Sequence, residues 1–357
     1  SNDFSIENLE VIRRYQSNED NVFFAYSEFS YNTLVGAYEP FLDIICNMHR
    51  RFIGGSFDEF QKECGVYYLH RQVLNSYYET GECFREETVL LNEVAYEQRR
   101  MTMAIVDMLK RLSEVKPLMI VINRFQMASK SSIETIKYLI DHPCTNIGIV
   151  LGVNANVKGA DSTVEVWDRI VESLEDRSAI YYIGSARPLR NSEKPTDDDE
   201  LYVTTNFEQS IQEASNTMEF LDYEQAKRGC RIIEHKIKFE DAWIDEKSLK
   251  RFYMVYARTS VLLGELSKAL ELTNEYRALI QEKNSEHDLS LFYFMKSTCY
   301  MYQGKLDKAE VCAKKAYDYA LLAKDDMLEF KTELLSVMIK MSGWYNIFFC
   351  VQDIPVS

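Results

Sequence analysis

With 357 residues the chain is too long for one ordinary core, and it predicts two domains or three. Its formal net charge of −15 opposes direct binding to a phosphate backbone, no basic run is longer than two or three residues, and no apolar run approaches the ~18–20 residues of a membrane helix. We therefore expect a protein that binds neither nucleic acid nor membrane; its eight scattered Cys, without a CxxC pair, read as reduced thiols of a cytoplasmic protein and not as a zinc knuckle or disulfide scaffold.

In chain order, residues 7–15 read as a short helix and the aromatic stretch 21–29 as a strand. A helix follows Pro40, with Phe41, Ile44, Ile45 and Met48 on one face. Residues 53–88 read as short helices. Residues 101–115 place Ile105, Met108, Leu109 and Leu112 at helical spacing. "PLMIVIN" (117–123) is a continuous apolar run, the pattern of a strand buried on both faces. The serines before 133 suit a helix cap, and 131–140 reads as that helix. A second buried strand is expected at 147–153, a helix at 163–174 and a further strand at 179–184. Strands alternating with helices predict a mostly parallel sheet covered on both faces. Pro188, Pro195 and the acidic cluster to Glu200 read as an exposed linker.

From about 207 the chain reads as all helix. Two stretches superimpose at an offset of 40 residues, with Gly264-x-Leu266-x-Lys268-Ala269 matching Gly304-x-Leu306-x-Lys308-Ala309. Gly343 comes 39 residues later, where a third unit is expected to turn. This pattern resembles the tetratricopeptide repeat. Its small residue on the first helix matches Ala257 and Ser297, its turn glycine Gly264 and Gly304, and its small residue on the second helix Ala269 and Ala309. The resemblance implies a surface that binds a protein or peptide.

The stretch 104–140 resembles the second nucleotide motif of the STAND class of AAA+-related signalling NTPases. In that class a buried strand ends in two acids, followed by an apolar-Gln-Trp-Ala-Asp turn and a helix. Here Phe125, Gln126 and Ala128 match, Met127 takes the Trp place and Ser129 that of the last Asp. Asn123 and Arg124 fill the two acid places. The following strand resembles the one that carries a phosphate sensor, which falls at Asn154, and residues 23–45 resemble the strand and helix after the phosphate loop. The resemblance covers about 5–185. No G-x-x-x-x-G-K-[ST] pattern occurs in the chain.

A magnesium site needs hard anionic oxygens, and neither an amide nor a guanidinium supplies one. We therefore expect a pseudo-ATPase with no catalytic residue, no metal site and no cofactor of its own. ATP and Mg²⁺ enter only if a phosphate loop lies upstream. For Arg124 the alternatives are contact with a phosphate or an ordinary ion pair at a strand end. No spacing of the five His suits a metal, and no serine-hydrolase elbow occurs.

The expected fold is a three-layer α/β domain of the P-loop NTPase type followed by helical repeats. The expected divisions are 1–185, a linker with short helices at 186–245, and repeats at 246–357. STAND chains carry a helical subdomain and a winged helix between these parts; with roughly 60 residues at 186–245, either those parts are shortened or the chain is a reduced variant. The termini read as cut ends of a longer protein. The resemblance implies a bacterial signal-transduction regulator with an output such as transcription control or a cyclase, and a homo-oligomer. The rival readings are an active ATPase with its phosphate loop outside the chain, and a purely structural scaffold.

Overall fold

We describe a computed structural model of the chain over residues 21–29, 35–83, 94–153, 206–239, 244–280 and 285–352, with side chains to Ser342. The expected elements at 7–15, 163–174 and 179–184, the 186–200 linker and Asn154 lie outside the described residues. The described part is mostly helical, with one small parallel sheet. It forms two compact units, and the division falls after Ile233.

In the first unit the sheet runs in the order β1 (Phe23–Glu28), β2 (Leu118–Asn123), β3 (Ile147–Leu151), all parallel, with β2 in the middle. The central strand is buried over Leu118–Ile122, which explains its unbroken apolar sequence. The expectation of a second fully buried strand does not hold, since β3 is half-buried along its length. It has a described neighbour on one edge only.

The helices are α1 (Phe41–Met48, continued by a π-helical turn His49–Ile53), α2 (Phe57–Glu63), α3 (Tyr68–Thr80), α4 (Val94–Val115) and α5 (Lys130–Asp141). Their apolar faces share one core with Leu118, Ile120 and Ile122 of β2. Side chains alternate across a strand, so these three point to one face. The other face carries Phe24, Tyr26, Met119, Val121 and Val150, a cluster that contains no described helical residue. Among the described residues helices cover one face of the sheet; Val121 on the other face is also fully buried, and the helix expected at 163–174 lies outside the described residues. Gly148 lies opposite Met119, and a Cβ there would meet the Met119 sulfur at 2.9 Å. The missing side chain lets that thioether lie flat on the sheet.

Two further helices, α6 (Phe207–Glu219) and α7 (Tyr223–Phe239), fall inside the stretch that reads as linker and short helices. Both α6 and the start of α7 belong to the first unit and are tied to it by hydrogen bonds and core packing. Asn216 accepts from the Cys83 N–H at 2.8 Å and donates to the Gly81 carbonyl at 2.9 Å. Phe220 enters the main core, with its ring edge-on to Tyr38 and Tyr77.

The second unit begins at Glu234 and contains α8 (Glu246–Leu262), α9 (Leu266–Ile280), α10 (Glu286–Tyr302), α11 (Leu306–Ala323) and α12 (Asp326–Gln352), each packed on the next. The α8–α9 and α10–α11 turns are copies of one another. Gly264 donates to Val261 O and Glu265 to Ser260 O; Gly304 donates to Met301 O and Lys305 to Tyr300 O. Both glycines hold positive φ, +76° and +71°, which is why glycine stands at each. Residues 271–280 and 311–320 follow the same order of buried and exposed positions. The expected third turn at Gly343 is absent: α12 runs unbroken from Asp326 through Gln352. A glycine costs a helix only about 1 kcal/mol, so its spacing alone does not force a break.

Candidate functional site

Ligands of parallel sheets collect at the carboxyl ends of the strands, and the Asn123–Arg124 pair stands there. β1 ends beside β2, with Glu28 in register with Asn123. The Asn123 side-chain oxygen accepts from the Arg124 N–H at 3.0 Å, so it is spent on a local turn. That turn puts Arg124 in the left-handed region, φ 56° and ψ 41°. The chain then drops into a short 3-10 turn, Phe125–Met127. Phe125 is fully buried and its N–H donates to Gly152 O at 2.9 Å, while the Gly152 N–H donates to Ile122 O. The tip of β2 is thus locked to the end of β3 by backbone.

The Arg124 guanidinium lies 3.1 Å from one Glu28 oxygen, and the other oxygen accepts from the Tyr26 hydroxyl at 3.2 Å. Arg124 thus makes an ion pair at the strand ends. The single described carboxylate at this tip is neutralised by a cation and already hydrogen-bonded. Gln126 is buried in the turn. Ser129, in the Asp place, caps α5 by accepting from the Ser132 N–H at 3.3 Å, and its hydroxyl also meets those of Ser131 and Ser132.

Sequence reasoning missed Asp222. One of its carboxylate oxygens accepts from the Ser131 N–H at 3.1 Å, in the first turn of α5. The other accepts from the Gln225 N–H at 3.3 Å and so caps α7. Gln225 in turn donates to Val35 O at 3.0 Å. One carboxylate therefore ties together the amino ends of two helices, both of which favour negative charge. The signal was present as Asp222-x-x-Gln225, a capping box.

A second acidic group sits at the start of α1. Burial, with help from Asp43 and Glu213, pushes the Glu39 carboxyl up to about 7, against the pull of a bond from the Gly36 backbone. Tyr77 donates to Asp43 at 3.2 Å. Among the described residues no group of three or more His, Cys, Asp or Glu is arranged to hold a metal. The described cysteines are free thiols, and burial pushes Cys46, Cys64 and Cys299 up to about 12, far from a reactive thiolate.

In the second unit the structure buries the small residues of the repeat and brings one pair of them, Ser297 and Ala309, into contact. Ala257, Ala269, Ser297 and Ala309 are all fully buried. Ser297 donates to Ala309 O at 2.7 Å, a contact possible only because both side chains are small. A polar knot crosses three helices: Asp288 of α10 takes Lys250 of α8 at 3.0 Å and the Tyr276 hydroxyl of α9 at 2.8 Å. Most of the aromatic residues are structural, with Phe252 and Phe292 buried and Tyr253, Tyr293 and Tyr300 half-buried.

No known protein family, curated protein or solved structure matches this chain. No helix among the described residues is long and apolar enough to cross a membrane.

Proposed function

We propose that the protein is a regulatory, signal-transducing component in which a STAND-like α/β unit has given up phosphoryl-transfer chemistry and tetratricopeptide-like repeats bind a protein partner. The observation that carries this reading is the tip of β2. The sequence around it follows the second nucleotide motif, yet the two acid places hold an amide engaged in its own turn and a guanidinium paired to Glu28. Phosphoryl transfer rests on a metal that neutralises charge and on a positioned water, and neither group can hold the one or activate the other. The copied glycine turns and buried small residues of α8–α11 support the repeat half.

A second reading, an active ATPase, has one observation in its favour: Glu28 is an acid in register with Asn123. Phosphate release from Mg·ATP by the full-length protein, with any segment that precedes this chain, separates the two when assayed alongside Glu28→Gln. The proposal expects no release above the protein-free blank. Turnover that disappears in Glu28→Gln would establish the second reading.

A further inference from the structure

The last helix, α12, is apolar on two faces. Leu328, Leu335 and Ile339 are buried, the last two against Met301, Ala309 and Ala313. On the other side Met327, Phe330, Leu334, Val337 and Met341 are each at least 40% exposed. Their spacing is 3, 4, 3, 4, the rhythm of a seam between two helices that wind about each other. Scattered surface leucines need no explanation, but five large apolar side chains in register along four turns of one helix do.

We propose that this stripe pairs with the same stripe of a second copy, the two α12 helices running antiparallel. A helical seam calls for a helical occupant, and α12 brings one that is already folded. Its inner face is packed in the second unit, so pairing bears no nucleation cost, which is what makes short isolated coiled coils weak. The charges select the orientation. Glu333 and Lys340 are exposed, and each immediately precedes a seam residue, Leu334 and Met341. An antiparallel pair that sets Leu334 against Val337 and Phe330 against Met341 of the second copy brings Glu333 beside its Lys340, twice by symmetry. A parallel pair leaves those charges unmatched. Its only ion pair would join Asp326 to Lys331, which is half-buried and already engaged within its own chain.

Sedimentation of the whole chain over a range of concentrations tests this. The expected result is a reversible monomer–dimer equilibrium. Phe330→Glu/Val337→Glu should shift it to monomer, with helical content unchanged by circular dichroism. Glu333→Lys and Lys340→Glu, both surface changes that leave the fold intact, should each weaken the dimer about tenfold or more. Combined in one chain, they restore the pairing. A chain that stays monomeric to about 100 µM, a concentration that reveals even weak dimers, overturns the proposal and leaves the stripe to a different partner. A dimer unmoved by Phe330→Glu/Val337→Glu overturns it too. A dimer that both single charge reversals leave untouched overturns the antiparallel pairing.

Discussion

Arg124 holds a left-handed backbone and a part-exposed ion pair to Glu28 at the strand ends. Pairs of this kind contribute about 0–1 kcal/mol. Arg124→Ala is therefore expected to change unfolding free energy by less than about 1 kcal/mol in urea, far short of what a core residue would show. Glu39 makes a larger, pH-dependent contribution. Its folded carboxyl titrates at about 7, above the 4.5 of an unperturbed glutamate. Below 4.5 the acid is protonated in both states and costs nothing. As pH rises from 4.5 to 7 the unfolded chain ionises first, and stability falls. Glu39→Gln should thus stabilise the protein at pH 8, by on the order of 1–3 kcal/mol, and change little at pH 4. His49 acts in the opposite direction. Burial, then Arg50, lowers its pKa below 6.5, so its stabilising neutral form is fully present above 6.5. Stability is lost as pH falls from 6.5 towards the depressed folded value. Equilibrium melts of Glu39→Gln and His49→Phe across pH 4–8 separate the two limbs.

At the scale of elements, the sequence revealed those parts whose physics is local. A strand buried on both faces must be apolar throughout, so β2 was visible as a run. A helix–helix turn with positive φ needs glycine, so the Gly264 and Gly304 turns were visible as a repeat. Gly264→Ala should cost about 1 kcal/mol or more, because the added Cβ meets open space but strains the backbone. The first turns of α4 were invisible because "VAYEQRR" carries no apolar stripe; its core face begins in earnest at Met101. Helices α6 and α7 were legible as helix from about 207, but their attachment to the first unit was not. They are held by side chains of Asn216, Asp222 and Gln225 bonding to backbone far away in sequence, which no periodicity records. Asp222→Ala uncaps α7 and removes the acceptor of the Ser131 N–H in the first turn of α5. The expected loss is about 1–3 kcal/mol, at the upper end of what a single cap contributes or beyond it, while Ser129→Ala should cost about 1. Denaturant titration of both variants compares them directly.

For the whole molecule, the sequence led to a sheet unit followed by a helical repeat unit, and the structure has a small parallel sheet with its helices in the first unit and packed helix pairs in the second. The candidate site was legible as a position and not as a state. Asn123 and Arg124 stood out because acids were expected there, but that Glu28 neutralises Arg124 depends on strand register, which emerges only on folding. The exposed stripe of α12 was hidden because its inner face is equally apolar. On the proposed reading the tip of β2 holds no divalent metal, and Mn²⁺ titration by calorimetry tests it most directly. The account predicts no saturable binding by the protein as it stands, and binding gained on Asn123→Asp/Arg124→Asp, which rebuilds the acid pair beside Glu28. Saturable binding by the unaltered protein that Glu28→Gln abolishes would contradict it.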